Sequence, residues 1–422
     1  LNIYPKGEDD MVEQGVMGSP LDKAKPRGTV ALLMLLMAVM GEMCLAADFY
    51  GFAAVIKIVS ADLSLSPAQA GLVQGAFGVS FALGMLFWAP RGRSMSSARL
   101  YLIGLGGSGL LMLLQTQAQD FTQLFLLRLV VGFFDSAVWV GSMKIVMQWF
   151  APRRQGLVLG IILAAYSLAI TLDFALGLPY AMAHGWRAFF LVLGGLTLSA
   201  CLITQLVVRA GPYQDPHDKI KTDAGVLRSI AARPWIWVGI LAIFGALFSV
   251  AATATWLIPA LIDVQKMAPE QAPLFGTIMG LSQVFFLILG GYVSDRFTRV
   301  GVMRVGMWLT ILAASACVLV AWQALPYSGL LIVAILCGVG VFHGGAIFSY
   351  VGERYGVNLG PCAAGYAEMG GVFATFVAPS LLGLLLSLSG SYIWAFGSFL
   401  AVEVLVFIGF LMLNRLPSAQ AE

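Results

Sequence analysis

Charge is scarce in this chain of 422 residues: Asp, Glu, Lys and Arg make up 11% of it, against about 25% in soluble domains. A surface so poor in charge cannot face water all round, which excludes a cytosolic enzyme. Cysteine is also sparse. Cys44, Cys201, Cys317, Cys337 and Cys362 are odd in number and scattered through apolar segments, so neither a disulfide framework nor a metal site is expected. No G-x-x-x-x-G-K phosphate loop occurs, and direct ATP drive has no support. No nucleophile–base set is visible, and neither a cofactor nor nucleic acid is expected as a partner. The alternation of a transmembrane barrel is missing too, because the apolar runs are long and unbroken.

What is abundant is hydrophobic sequence, at 59% of the chain. A membrane-spanning helix takes roughly 20 apolar residues, so twelve spans fit the length. Twelve segments can be laid out, at about 29–59, 68–90, 99–117, 121–149, 155–180, 187–208, 234–262, 273–294, 302–324, 328–351, 362–388 and 391–413. Only helices satisfy their own backbone in lipid. The first 28 residues are polar, without a signal-peptide pattern. They read as a cytoplasmic tail, as do residues 414–422.

Of the 24 Lys and Arg residues, 19 fall on the side of the two tails and only Lys57, Arg187 and Lys266 on the other. The positive-inside rule then predicts both termini in the cytoplasm and a multi-pass protein of the cell's inner (plasma) membrane. The longest polar gap, 209–233, separates a six-helix bundle at 29–208 from another at 234–413. The halves repeat at an offset near 205 residues: Gly160 maps on Gly365, and Ala188-Phe189 near Ala395-Phe396. Two parallel repeats with a site between them near the midplane is a transporter architecture.

Three motifs carry a resemblance. Gly291-Tyr292-Val293-Ser294-Asp295-Arg296 resembles the G-x-x-x-D-R loop of the major facilitator superfamily. Trp149-Phe150-Ala151-Pro152-Arg153-Arg154-Gln155-Gly156 is similar to its helix 4–5 junction, and Gly185-Trp186-Arg187 to its entry into helix 6. Within that superfamily the chain looks most like the anion:cation symporters, which carry organic acids. Asp48-Phe49-Tyr50, Asp62-Leu63-Ser64-Leu65-Ser66, the run from Ala76-Phe77 to Gly84, Arg128-x-x-x-Gly132-x-x-Asp135 and Thr255-Trp256-Leu257-Ile258-Pro259 support this. Two departures stand out. Phe49 replaces the Arg that usually follows the helix 1 Asp, and the loop at Ala89-Pro90-Arg91-Gly92-Arg93 has no Asp.

A charge near the bilayer centre costs roughly 2.5–3.5 kcal/mol on insertion scales, so each one needs a partner, a wet cavity or a function. Arg128 and Asp135 are seven apart, within about 20° of one helix face. Asp48 and Arg128 both fall in outer halves of their helices, so an Asp48–Arg128 ion pair is plausible. It reads either as a coupling element that frees Arg128 for an anion when Asp48 is protonated, or as a structural tie. Asp135 is a second protonatable group or a substrate contact. Glu42, Asp173 and Glu368 are candidates for the cavity wall, with Trp256 and Tyr166, although aromatics at helical spacing more often pack. Lys144 reads as a snorkelling side chain. Glu403 reads as a packing residue and His343 as an interior residue or relay. Asp295 and Arg296 read as a gate that meets the helix 5 N-terminus near Arg153 and Arg154 in one state only.

The expected molecule is therefore an all-α, twelve-helix, proton-coupled secondary transporter, a monomer in the bilayer, with an organic anion such as a carboxylate as its small-molecule substrate. An exporter of cationic or amphipathic compounds is the alternative, because acids outnumber bases inside the membrane. A non-transporting receptor or intramembrane enzyme is the reading from another class.

Overall fold

The computed structural model describes residues 28–92, 94–150, 152–213 and 224–415; the side chains of 152–157, 224–227 and 356–362 lie outside that description. Among the described residues, twelve helices are long and apolar enough to cross a membrane: α1 Gly28–Asp62, α2 Pro67–Gly92, α3 Ser97–Gln115, α4 Phe121–Trp149, α5 Val158–His184, α6 Trp186–Val207, α7 Pro234–Asp263, α8 Pro269–Ser294, α9 Arg299–Trp322, α10 Tyr327–Tyr355, α11 Ala363–Ser389 and α12 Tyr392–Leu413. They lie within a few residues of the sequence-based spans. No strand occurs among the described residues. An even number of crossings brings the start of α1 and the end of α12 to one face of the bundle, the termini end; the opposite face is the far end.

Helix boundaries follow local chemistry. Ser66 and Gln69 cap α2 reciprocally: the Ser66 N–H donates to Gln69 Oε1 (2.9 Å) and the Gln69 N–H to Ser66 Oγ (3.2 Å). Asp120 caps α4 by accepting from the Gln123 N–H at 2.9 Å. Gly390 ends α11 at φ 66°, a conformation that glycine takes without a Cβ penalty. Asp62 at the end of α1 accepts from Trp186 Nε1 (3.0 Å) and from Arg187, whose guanidinium also reaches the Thr116 and Ala118 carbonyls. The Gly185-Trp186-Arg187 motif thus staples three far-end loops of the first half.

Glycine brings the two halves together at the far end. A Cβ on Gly71 would lie 2.2 Å from the Pro379 carbonyl, and one on Gly75 2.8 Å from the Phe376 carbonyl, so α2 and α11 touch backbone to backbone. Gly276 and Gly280 on α8 stand 205 residues after Gly71 and Gly75. They face Phe174 and Thr171 on α5, which stand 205 residues before Pro379 and Phe376. The repeat therefore closes the far end with two copies of one contact. Lys57 on α1 pairs with Asp263 on α7 across the same end, and Tyr392 donates to the other Asp263 oxygen at 2.9 Å. The Lys57–Asp263 pair, the Ser380–Gly71 hydrogen bond and these glycine contacts join the halves in the far half.

Two helices are irregular near mid-membrane. In α5 a π-turn spans Asp173–Gly177, and the Leu178 N–H reaches back to the Asp173 carbonyl. Pro179 follows; it has no N–H to donate, which loosens the ladder there. In α10 a 3-10 turn at Val339–Val341 interrupts the helix among Gly338, Gly340, Gly344 and Gly345. Such backbone is tolerated at this depth because protein or a cavity surrounds it.

Candidate functional site

Between the halves lies a cavity of about 110 Å³. Its wall takes Glu42, Leu45 and Phe49 from α1, Phe77 and Phe81 from α2, and Tyr166 and Ser167 from α5. The second half supplies Gln283 from α8, Phe348 from α10, and Glu368 and Thr375 from α11. The wall is largely apolar, and among the described residues its only ionisable carboxyls are Glu42 and Glu368, one from each half. No lysine, arginine or histidine among the described residues belongs to it. Tyr166 stands in the same wall as the two carboxyls. Glu42 is 2% exposed and its Oε2 has no hydrogen-bond partner.

Of the sequence-based candidates, Glu42, Tyr166 and Glu368 line this cavity. Arg128, Asp135, Asp173 and Trp256 do not. Trp256 donates Nε1 to the Pro379 carbonyl at 3.1 Å and sits over Gly383, so it belongs to the far-end packing. Asp173 opens the π-turn of α5, buried, with Oδ2 unpartnered.

Arg128 lies behind the aromatic wall. Phe49 stacks on Phe77 at 4.3 Å between centroids, and Phe77 on Phe81 at 6.0 Å. The guanidinium sits beneath this stack, fully buried. It donates to the main-chain carbonyls of Asp48 (2.6 Å) and Phe49 (2.8 Å) and more weakly to Gln74 Oε1 (3.4 Å). The expected ion pair between the Asp48 carboxylate and Arg128 is therefore replaced by a contact to the Asp48 backbone. The reason is direction: the Asp48 side chain turns to α6, where Thr197 Oγ1 stands 3.2 Å from both carboxylate oxygens. Asp135 is fully buried near Asp48, Arg128 and Ser108, and neither of its oxygens has a hydrogen-bond partner.

Lys144, Glu403, Asp295 and Arg296 have structural partners. Lys144 does not reach for water as the snorkelling reading expected: it is 8% exposed and donates Nζ to the Gly92 carbonyl at 2.8 Å. The nearby polar acceptor at the end of α2 satisfies it inside the protein. Glu403 accepts from Thr310 at 2.8 Å, and His343 Nε2 lies 3.3 Å from the Ala242 carbonyl. Asp295 pairs with Arg299 at 3.1 Å, and Arg299 with Glu353 at 3.0 Å, all within the second half. The Arg296 guanidinium covers the Tyr292 ring at 4.0 Å. The side chains of Arg153 and Arg154 lie outside the described residues.

Sequence reasoning missed the far-end tie of Lys57, Asp263 and Tyr392. It also missed the glycine pairs, which the 205-residue offset could have revealed. It did not foresee that Phe49, at the position of the absent Arg, would screen Arg128 from the cavity.

Residues 31–356 match the family model described as the Major Facilitator Superfamily. A probable sulfoacetate transporter of Cupriavidus necator is 23% identical over 84% of this chain and 88% of its own length. A probable sugar efflux transporter of Helicobacter acinonychis is 25% identical over 58% of this chain, which spans only 60% of that relative. Among solved structures, a bacterial homologue of the human lysosomal transporter Spinster, inward-facing and unoccupied, superposes with a TM-score of 0.71 at 16% identity, covering 94% of this chain and 98% of that one. With two six-helix halves around a central cavity, and with the family match over most of its length, the chain belongs to the Major Facilitator Superfamily.

Proposed function

We propose that this transporter works by alternating access, is coupled to protons, and carries a small amphipathic solute whose polar group is cationic or neutral. One observation carries the reading: the cavity wall is largely apolar and, among the described residues, its carboxyls are Glu42 and Glu368, one from each half. A cation bound between them and protons on them compete for the same carboxylates. That competition is a direct route to exchange of solute for protons, since each ligand lowers the other's affinity by the same factor. The likeness to the H. acinonychis efflux relative agrees with this direction.

A second reading, transport of an organic anion with Asp48, Arg128 and Asp135 as the coupling set, is favoured by relatives. Besides the sulfoacetate transporter, a hexuronate transporter of Bacillus subtilis is 21% identical over 79% of this chain. It requires Arg128 to leave the Asp48 and Phe49 carbonyls and pass the Phe49–Phe77 stack. A thermal-shift panel of purified protein separates the two. Apolar organic cations should raise the melting temperature, because a ligand that binds the folded state stabilises it. Stabilisation by carboxylates and none by cations would replace the first reading with the second.

We further infer that both termini lie in the cytoplasm, so that the far end is the outer face and its contacts shut the protein outside. Asp295 then belongs to an inner gate that meets α5 when the inside closes. Lys57 and Asp263 form the outer latch. Lys57→Ala should raise the labelling rate of a cysteine placed on the outer side of the cavity, with little change in melting temperature, because an exposed pair holds little stability of its own. Unchanged labelling would mean that the glycine contacts alone keep the outer face shut.

A further inference from the structure

A second pocket, of about 200 Å³, lies at the termini end of the first half, away from the transport cavity. Ser94, Ser96, Ser97, Lys144, Gln148 and Arg209 supply its polar lining. We propose that it is a binding site for a phosphate group, of the kind carried by an anionic phospholipid of the adjoining leaflet.

Four features point to an anion. Two cations converge on a small space, Lys144 from α4 and Arg209 from the segment after α6. Lys144 is buried and is held in place by its bond to the Gly92 carbonyl at 2.8 Å. The α3 helix begins at the pocket. Ser96 Oγ caps the Arg99 N–H at 3.2 Å, which leaves the first-turn N–H groups of Ser97 and Ala98 without intrahelical acceptors and the positive end of the helix dipole at the wall. Finally, Ser97 Oγ is buried within a residue only 4% exposed and has no hydrogen-bond partner. A buried hydroxyl left unpaired is costly unless a ligand or water completes it.

The pocket is also built to stay in shape. Trp149 Nε1 donates to the Arg209 carbonyl at 3.0 Å, and the Tyr213 N–H to the Gln148 carbonyl at 3.1 Å. Gly211 lies so close to Gln148 that a Cβ there would stand 2.1 Å from its carbonyl oxygen. These contacts fix the chain that carries Arg209 against the end of α4. Among the described residues, no carboxylate lines the pocket. Basic pockets between helix ends at the membrane surface are suited to lipid headgroups.

The test uses the full chain, purified in detergent and stripped of lipid. Its melting temperature is titrated with phosphatidylglycerol, with phosphatidylcholine and with inorganic phosphate. Phosphatidylglycerol should stabilise the protein more than phosphatidylcholine does. Arg209→Gln, a change at an exposed residue, should weaken that response by roughly fivefold, about the worth of one basic residue at an anionic surface. Ser97→Ala should weaken it too, and Arg209→Lys should restore part of it. A matching response to inorganic phosphate supports the same site with a free anion as its ligand; a response to phosphatidylglycerol alone assigns it to lipid. Equal stabilisation by the two lipids with no response to phosphate, or an Arg209→Gln protein that titrates as the unaltered one does, overturns the proposal. Because Lys144→Gln could disturb folding, the exposed Arg209 carries the decision.

Discussion

Arg128→Ala should be the most damaging single substitution in this protein. The guanidinium is fully buried and holds the carbonyls of two consecutive α1 residues, Asp48 and Phe49, against α4 while also meeting Gln74 of α2. It is also the positive charge nearest to Asp48 and Asp135, which sit in the same buried cluster. Truncation removes three hydrogen bonds from a charged donor and strands the acids. Breaking a buried charge cluster on one side costs about 3–5 kcal/mol, a large share of the stability of most domains. The expected result is little folded protein after detergent extraction, with a much lower melting temperature for whatever remains. Arg128→Lys should recover only part, because one ammonium cannot reproduce the planar fork that reaches two carbonyls at once. An Arg128→Ala protein that melts with the unaltered one would show that the helix 1–4 tie is not structural, and would return Arg128 to a purely functional role.

The second large effect is expected at the paired cavity acids. Glu368→Gln and Glu42→Gln each remove one of the two carboxyls of the cavity wall while keeping its size. Under the proposed function, each should weaken binding of an apolar organic cation by at least about tenfold, equivalent to roughly 1.4 kcal/mol. The double variant should also lose the pH dependence of binding, since no other ionisable carboxyl among the described residues lines the wall. Transport into proteoliposomes should then no longer respond to an imposed pH gradient. If the double variant keeps both affinity and pH dependence, the coupling acid lies elsewhere, and the buried Asp48 and Asp135 become the test positions. Improved binding of a carboxylate by Glu42→Gln would point the same way, toward the anionic reading.

The sequence by itself determined the number of spans and the division into halves. Lipid offers the backbone no hydrogen bonds, so each apolar run of sufficient length has to be a helix whatever its neighbours are. It also determined which residues would need explaining, because an ionisable group inside such a helix is costly and therefore visible. Glu42 and Glu368 were legible as cavity candidates on those grounds, and Tyr166 only as an aromatic that could line the cavity or pack. What the sequence could not supply is direction. Asp48 was identified correctly as a neighbour of Arg128, but whether its carboxylate or its carbonyl meets the guanidinium depends on how α1 is rotated against α4 and α6. The same rotation places Phe49 in the wall and Arg128 behind it, which reverses the charge that a substrate would meet. Trp256 and Lys144 show the same limit: one packs at the far end and the other finds a carbonyl inside the protein. Helix periodicity gives the face on which a residue lies; only the packing of neighbouring helices decides what that face touches.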